Sequence, residues 1–328
     1  MIRSSVRAVS AGVALIMAAL AGAHAQTYPD RPITLVIPFA AGAASDIAAR
    51  QLAEAVSRNI GQRVVIENRG GGGGSVGAMA VKAARPDGYT LFMANIGSHA
   101  TLQWLVANVA YDPVKDFHPV TQLWAYPTNF LTVPKSIPAN SVAELIALAR
   151  AKPNGLTYGS QGVGSGGHLL AAMLHRASGA TMVHVPYRGG GPLTIDLIAA
   201  RIDFAFGAYL AAREHYKAGT VRPLAVAAAK RSPLYPDVPT MAEAGFPGIE
   251  QETWFGIVAP AATPDALAQR LNAEFVKAAR SPDFVQGMAA NGVDVRTGTP
   301  EAFGALIAAD GVRWGNTIKS LGLQAGKR

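Results

Sequence analysis

Pro38-Phe39-Ala40-Ala41-Gly42-Ala43-Ala44-Ser45-Asp46 is the stretch on which the reading of this chain turns. The apolar run Ile33-Thr34-Leu35-Val36-Ile37 leads into it and reads as a strand. Ile47, Ala48, Leu52, Ala55 and Val56 follow on one face at helical spacing, with Ser45 or Asp46 standing where an N-cap belongs. A strand, a turn of small residues and a capped helix start bring free backbone N–H groups to the mouth of a sheet. That is a ready site for an anion.

Working outward, Val64-Val65-Ile66-Glu67 reads as a second strand. Val76, Met79, Ala80 and Ala83 suggest a helix, and Tyr89 to Ala94 a third strand, with Asn95 to Ser98 a loop at its carboxyl end. Strands alternating with helices imply βαβ units and a mostly parallel sheet. Pro119 to Val133 reads as an extended crossing into a second α/β block. In that block a helix over 142–151 starts at Asn140-Ser141, with Glu144 close to capping-box spacing. The strand Leu156-Thr157-Tyr158 then runs into the glycine-rich Gly159 to Gly167 and a helix over 168–178. Val183 to Tyr187 is a strand, 193–200 a helix, and Ile202 to Phe206 and Leu224 to Ala229 further strands. Thr253 to Val258 reads as a strand returning to the first block, followed by three helices. The second block is thus inserted into the first, with two crossings. This predicts an α/β chain of two lobes, 26–124 plus 252–328 and 125–251, hinged around a cleft.

The first 25 residues read as a different object. Arg3 and Arg7 form a basic start, Val9 to Gly22 an apolar Ala-rich core, and Ala23-His24-Ala25 an A-x-A cleavage signal. The run is too short for a membrane span, so a secretory signal peptide cleaved after Ala25 is expected, and with it a periplasmic location. The chain has no Cys, so it carries no disulfide and no cysteine-linked lipid. Without the leader, 27 Lys+Arg stand against 21 Asp+Glu, a net +6. No basic run exceeds two residues, as at Lys230-Arg231, and none interleaves with aromatics, which argues against a nucleic-acid partner.

Several motifs carry less than they first suggest. Gly72 to Gly77 and Gly162 to Gly167 both match G-x-G-x-x-G, but neither is followed by an acidic residue at the spacing a dinucleotide ribose needs. Gly70 to Gly74 is therefore read as a close-packed turn. Gly73-Gly74-Ser75-Val76-Gly77 also fits a nucleophile elbow, yet a run of glycines is too loose to hold one. A cleft hydrolase is the weaker alternative. No P-loop string and no metal-ligand spacing of His residues occurs, so neither cofactor nor metal is expected. His99 and His168 each flank a candidate loop, and Phe39 and Tyr187 stand at strand ends beside one.

Taken together, Tyr28-Pro-Asp-Arg-Pro32, Pro38-Phe39 through Asp46, Val65-Ile-Glu-Asn-Arg69, Pro86-Asp-Gly-Tyr-Thr-Leu91, Tyr111-Asp-Pro-Val-Lys-Asp-Phe117, Val183-His-Val-Pro-Tyr187 and Trp254-Phe-Gly-Ile-Val-Ala-Pro260 make the chain recognisable. From Tyr28 to about Gly322 it resembles the Bug family, the TctC-like extracytoplasmic solute receptors of tripartite tricarboxylate transporters. The resemblance implies a type 2 periplasmic-binding-protein fold, whose cleft holds a di- or tricarboxylate, an amino acid or an aromatic acid. It also implies a ligand contacted by Phe39, Ala40, Ala43, Ala44, Ser45, Asp46, Ser98, His99, Ser160, Gly164, Ser165, Gly166, Gly167, His168, Tyr187 and Gly207, largely through backbone N–H groups of the 38–46 and 158–168 loops. Asp46 itself should cap its helix and stay off the anion. The protein would act as a monomer that passes its solute to membrane permease subunits, or as a sensor that docks on a membrane kinase. Ala41 and Ala43 depart from the family's proline and glycine, Gly166 and Gly167 from its hydroxyl residues, and Gly207 from a residue that is often polar or acidic. The last change should make the cleft roomier.

Overall fold

The computed structural model describes residues 28–42, 44–126, 129–290 and 292–324, so the expected leader and Ala43 lie outside the described residues. Pro32–Arg328 forms one compact unit, separate from Met1–Arg31, and all that follows concerns it.

The chain begins with β1 (Ile33–Ile37), α1 (Ala44–Ile60), β2 (Val64–Asn68), α2 (Ser75–Lys82), β3 (Thr90–Asn95), α3 (Leu102–Leu105) and β4 (Phe117–Tyr126). It continues through β5 (Asn129–Pro134), α4 (Val142–Ala151), β6 (Leu156–Ser160), α5 (Gly166–Ser178), β7 (Met182–Pro186), α6 (Gly190–Ile198), β8 (Phe204–Ala208), α7 (Tyr209–Lys217) and β9 (Val221–Val226). It returns by β10 (Thr253–Pro260), α8 (Asp265–Ala279), α9 (Pro282–Ala289), β11 (Asp294–Val295) and α10 (Pro300–Ser320).

The strands form two mixed sheets, ordered β11-β4-β10-β3-β1-β2 and β7-β6-β8-β5-β9. In the first, β1 pairs in parallel with β2 on one side and β3 on the other. In the second, β6 pairs in parallel with β7 and β8 in the same way. Each sheet therefore contains a βαβαβ unit whose chain winds first one way and then the other. The loops after β1 and β6 leave the sheets at those switch points, where the carboxyl ends of open α/β sheets bind ligands. The two loops are thus topological counterparts, one in each sheet.

Each sheet has its own core. Val36, Phe92, Trp254, Phe303 and Trp314 are buried around the first, and Leu131, Leu145, Leu174, Phe204 and Phe206 around the second. Helix α4 starts as its sequence predicts: Ser141 Oγ accepts the Glu144 N–H at 3.1 Å, and Glu144 Oε2 accepts the Asn140 N–H at 2.8 Å. The single extended crossing expected over 119–133 is instead two strands in different sheets, β4 and β5. The loop expected at Asn95 to Ser98 is wound: Gly97–Thr101 forms a π-type turn, because Asn95 Oδ1 gathers the N–H groups of Gly97 and Ser98. Among the described residues, no helix is long and apolar enough to cross a membrane.

Candidate functional site

Helix α1 begins at Ala44, so Ser45 and Asp46 lie in its first turn and not at the N-cap the sequence suggested. The reason is the Asp46 carboxylate. It reaches back to accept the Gly42 N–H at 3.0 Å, and it also accepts from Arg50 Nε at 3.1 Å and Asn68 Nδ2 at 2.9 Å. Burial alone would raise its pKa. The hydrogen bonds from Arg50, Asn68 and Gly42 outweigh burial and hold it below the ordinary value. Asn68 Nδ2 also donates to the Phe39 carbonyl, so one amide on β2 pins both ends of the β1–α1 loop. Asp46 is therefore a buried brace whose acceptor capacity is used internally. The first-turn N–H groups of α1 have no intrahelical carbonyl to serve.

The β6–α5 loop is stiffened in a comparable way. Ser160 Oγ sits 2.6 Å from His184 Nε2 and takes the Gly162 N–H at 3.2 Å. Gly164 N–H donates to His168 Nδ1 at 3.2 Å, which leaves the His168 proton on Nε2. Ser165 is the N-cap of α5, its Oγ accepting the His168 N–H. The rings of His168 and His184 stack at 4.1 Å, and Tyr158 covers the other side of His184 at 5.0 Å. Burial pushes His168 down to about 4, and burial together with the neighbouring His168 pushes His184 down to about 3, so both are neutral at pH 7. Gly166 and Gly167 are buried in the first turn of α5, where a helix offers no carbonyl to their N–H groups.

The loops of the two sheets touch. Ala40 N–H donates to the Arg188 carbonyl at 3.1 Å, and Thr101 Oγ1 donates to the Gly164 carbonyl at 2.6 Å. Glycines make the approach possible. A Cβ on Gly189 would lie 2.9 Å from Ala40 N, and one on Gly191 would lie 3.0 Å from the Ala41 carbonyl. Gly73, at a φ of +68°, leaves no room for a Cβ beside the Val163 carbonyl. The Gly70 to Gly74 run is thus close-packed: Gly70 and Gly73 meet the opposite sheet's loops at the Arg188 and Val163 carbonyls, while Gly72 and Gly74 pack on Ser75, Ser98 and Pro38 of their own side.

Not every candidate residue joins this junction. Phe39 does: it is 7% exposed and meets Phe255 edge-on at 6.3 Å. Ser98 and His99 lie beneath it in the core. His99 is fully buried, packed between Phe92 and Phe117, and burial pushes it down to about 3. Tyr187 turns its hydroxyl to Asp196 at 2.8 Å, and its pKa is raised to about 12 by burial and by that carboxylate. Gly207 borders a cavity of about 30 Å³ lined by Thr132, Gln161, Leu193 and Tyr216, room for about one water or one methylene group. A larger groove of about 560 Å³ lies elsewhere, between α1 and α8–α9, where Glu54, Arg58, Lys277 and Asp283 alternate in charge. The sequence reading gave no role to the side chains of Asn68 and Thr101 or the carbonyl of Arg188. Asn68 alone had a signal, standing inside the Val65 to Arg69 string.

The family model described as tripartite tricarboxylate transporter family receptor matches residues 48–323. The chain belongs to that receptor family. Protein BugT of Bordetella pertussis is 33% identical over 299 residues, covering 91% of this chain and 91% of its own length. The R. palustris protein Rpa4515, solved with adipate, superposes with a TM-score of 0.86 at 36% identity, covering 90% of this chain and 98% of its own. MatC from Rhodopseudomonas palustris, solved with bound malate, gives 0.84 at 31% identity over 89% and 100% of the two chains. The expected Bug-type, two-lobed periplasmic-binding-protein fold is therefore the fold of this receptor.

Proposed function

We propose that this receptor is a periplasmic solute-binding protein that captures a small carboxylate. The solute sits between the lobes 26–124 plus 252–328 and 125–251, and passes to the permease subunits of a tripartite transporter. The protein works as a monomer and does no chemistry on its ligand. The observation that carries the reading is that two switch-point loops, β1–α1 and β6–α5, each ending at a helix N-terminus, stand at one junction of the sheets, where β1–α1 touches the β7–α6 loop and β6–α5 touches the turn before α2. Relatives solved with adipate and malate support the ligand class.

The magnitudes agree with a two-loop clamp. Micromolar affinity requires about 8 kcal/mol. One helix N-terminus supplies at most about 2 kcal/mol. Charge-assisted hydrogen bonds of about 1.5–3 kcal/mol each, from first-turn N–H groups at Ser45 and Asp46 on one side and Gly166 and Gly167 on the other, reach that total once water is excluded. Either loop alone falls short.

The test is a thermal-shift titration of the protein lacking residues 1–25 with mono-, di- and tricarboxylates and their neutral amides. Acids should raise the melting temperature and amides should not. A flat response to every acid, or an equal response to the amides, sinks the reading.

A further inference from the structure

The cavity of about 30 Å³ beside Gly207 opens at the carboxyl end of β8. Half-buried residues surround its mouth: Gln161 of the β6–α5 loop, Thr194 of α6, Gly207 itself and Ala212 of α7. Its floor is buried and apolar, made by Leu193, Leu197, Ala205 and Val221. Glycine keeps the mouth open. A Cβ on Gly207 would meet nothing within 4 Å, whereas one on Gly159, in the neighbouring strand β6, would overlap Leu193 Cδ1.

The hydroxyls that line the cavity are already engaged. Thr132 Oγ1 and Tyr216 OH hydrogen-bond each other, and Thr194 Oγ1 donates to the Gly190 carbonyl at 2.8 Å. Among the described residues that line it, none is charged. A polar group entering would give up water and find few partners, while an apolar group gives up nothing. The cavity also adjoins the anion site. The first turn of α5 presses on the end of β8: a Cβ on Gly167 would stand 2.6 Å from the Phe206 carbonyl, one residue before Gly207. Gln161 reaches the same mouth from the loop that ends at that helix. A carboxylate held by the Gly166 and Gly167 N–H groups thus has an apolar recess beside it.

We propose that this recess is a side pocket of the ligand site, and that it selects acids carrying a methyl branch. This rests on the carboxylate reading above. The volume sets the size of the group, since it holds about one water or one methyl. The lining sets its polarity. An unbranched acid leaves the recess unfilled and forgoes the burial. A hydroxyl of the same size loses its hydrogen bonds to water, and a second carboxylate loses far more.

The experiment is calorimetric titration of the protein without residues 1–25 against matched acids: succinate with methylsuccinate and malate, glutarate with 3-methylglutarate, propionate with isobutyrate. At least one branched acid should bind about fourfold or more tighter than its unbranched partner, the gain from burying one methyl group. Methylsuccinate should also bind tighter than malate, in which a hydroxyl stands where the methyl is. Gly207→Ala puts a methyl of the protein's own into the recess and should erase both preferences. It should fold and melt like wild type, because its Cβ enters open space and Gly207 is not in the left-handed region. Gly207→Val is the second variant and should make the branched acids the weaker binders. Preferences unchanged in the variants, a wild type that ignores the branch, or malate bound tighter than methylsuccinate overturns the assignment while leaving carboxylate capture standing. If no acid binds the wild type at all, the carboxylate reading itself fails.

Discussion

Gly73→Ala is the substitution that separates contact between the lobes from ordinary folding strain. Gly73 has φ +68° and ψ 16°, a left-handed conformation that costs a non-glycine residue roughly 1–2 kcal/mol. Gly179, the C-cap of α5, has nearly the same backbone, φ 64° and ψ 6°. Their surroundings differ. A Cβ on Gly179 meets nothing within 4 Å, whereas one on Gly73 overlaps the Val163 carbonyl and lies 2.9 Å from Leu102 Cδ1. Ordinary carbon contact begins near 3.5 Å, so the Val163 segment must retreat by about 1 Å. That segment leads into Gly164, whose carbonyl holds the 2.6 Å bond from Thr101 across the junction. Losing or stretching this bond disfavours the closed arrangement by about 1–3 kcal/mol, which weakens binding by roughly 5- to 150-fold. Calorimetric titration with the tightest acid found, alongside thermal melting, reads both effects. Gly73→Ala should lose more melting temperature than Gly179→Ala, since its Cβ also meets Leu102 and Val163; Gly179→Ala should bind like wild type, and Gly73→Ala should bind far more weakly. Equal affinities for the two variants would refute the argument that the Gly70 to Gly74 turn serves closure.

Two further outcomes follow from the braces inside the site. Asp46→Ala removes the acceptor for Gly42 N–H, Arg50 and Asn68 together, so it should cost about 1–3 kcal/mol in urea unfolding and weaken acid binding, although Asp46 does not face the anion. Acid should destabilise the fold early. His99 and His184 are held down to about 3 and His168 to about 4, below the ordinary 6.5, so the unfolded chain takes up protons first. Their contribution is intact above about pH 6.5 and is lost as pH falls toward 4, at up to about 1.4 kcal/mol per pH unit for each proton. Melting curves from pH 8 to 4 check this, and His99→Phe should flatten the acid slope. An unchanged slope would remove His99 from the account.

Much of the site was legible because its signals are local. An apolar strand running into small residues and an amphipathic helix marks the β1–α1 and β6–α5 loops wherever they stand, although α5 starts at Gly166, two residues before the 168–178 span the sequence suggested, because Ser165 caps it and helix conformation takes in two glycines. Contacts across the junction were not legible. Nothing in Gly70 to Gly74 announces that its neighbour is the Val163 carbonyl, about 90 residues away in the chain. His99 reads as a loop residue because it follows Asn95 to Ser98, and only the π-type turn directs its ring to Phe92 and Phe117. Ser45 and Asp46 each look like caps, since the choice between capping the helix and bracing the loop depends on Arg50 and on Asn68 from another strand.

A crystal structure of the protein with the tightest acid from the titrations tests the central claim most directly. The account predicts carboxylate oxygens within hydrogen-bonding distance of first-turn N–H groups of both α1 and α5, in the junction of the two lobes. An acid seated in the groove between α1 and α8–α9, or held by one helix start alone, would contradict it.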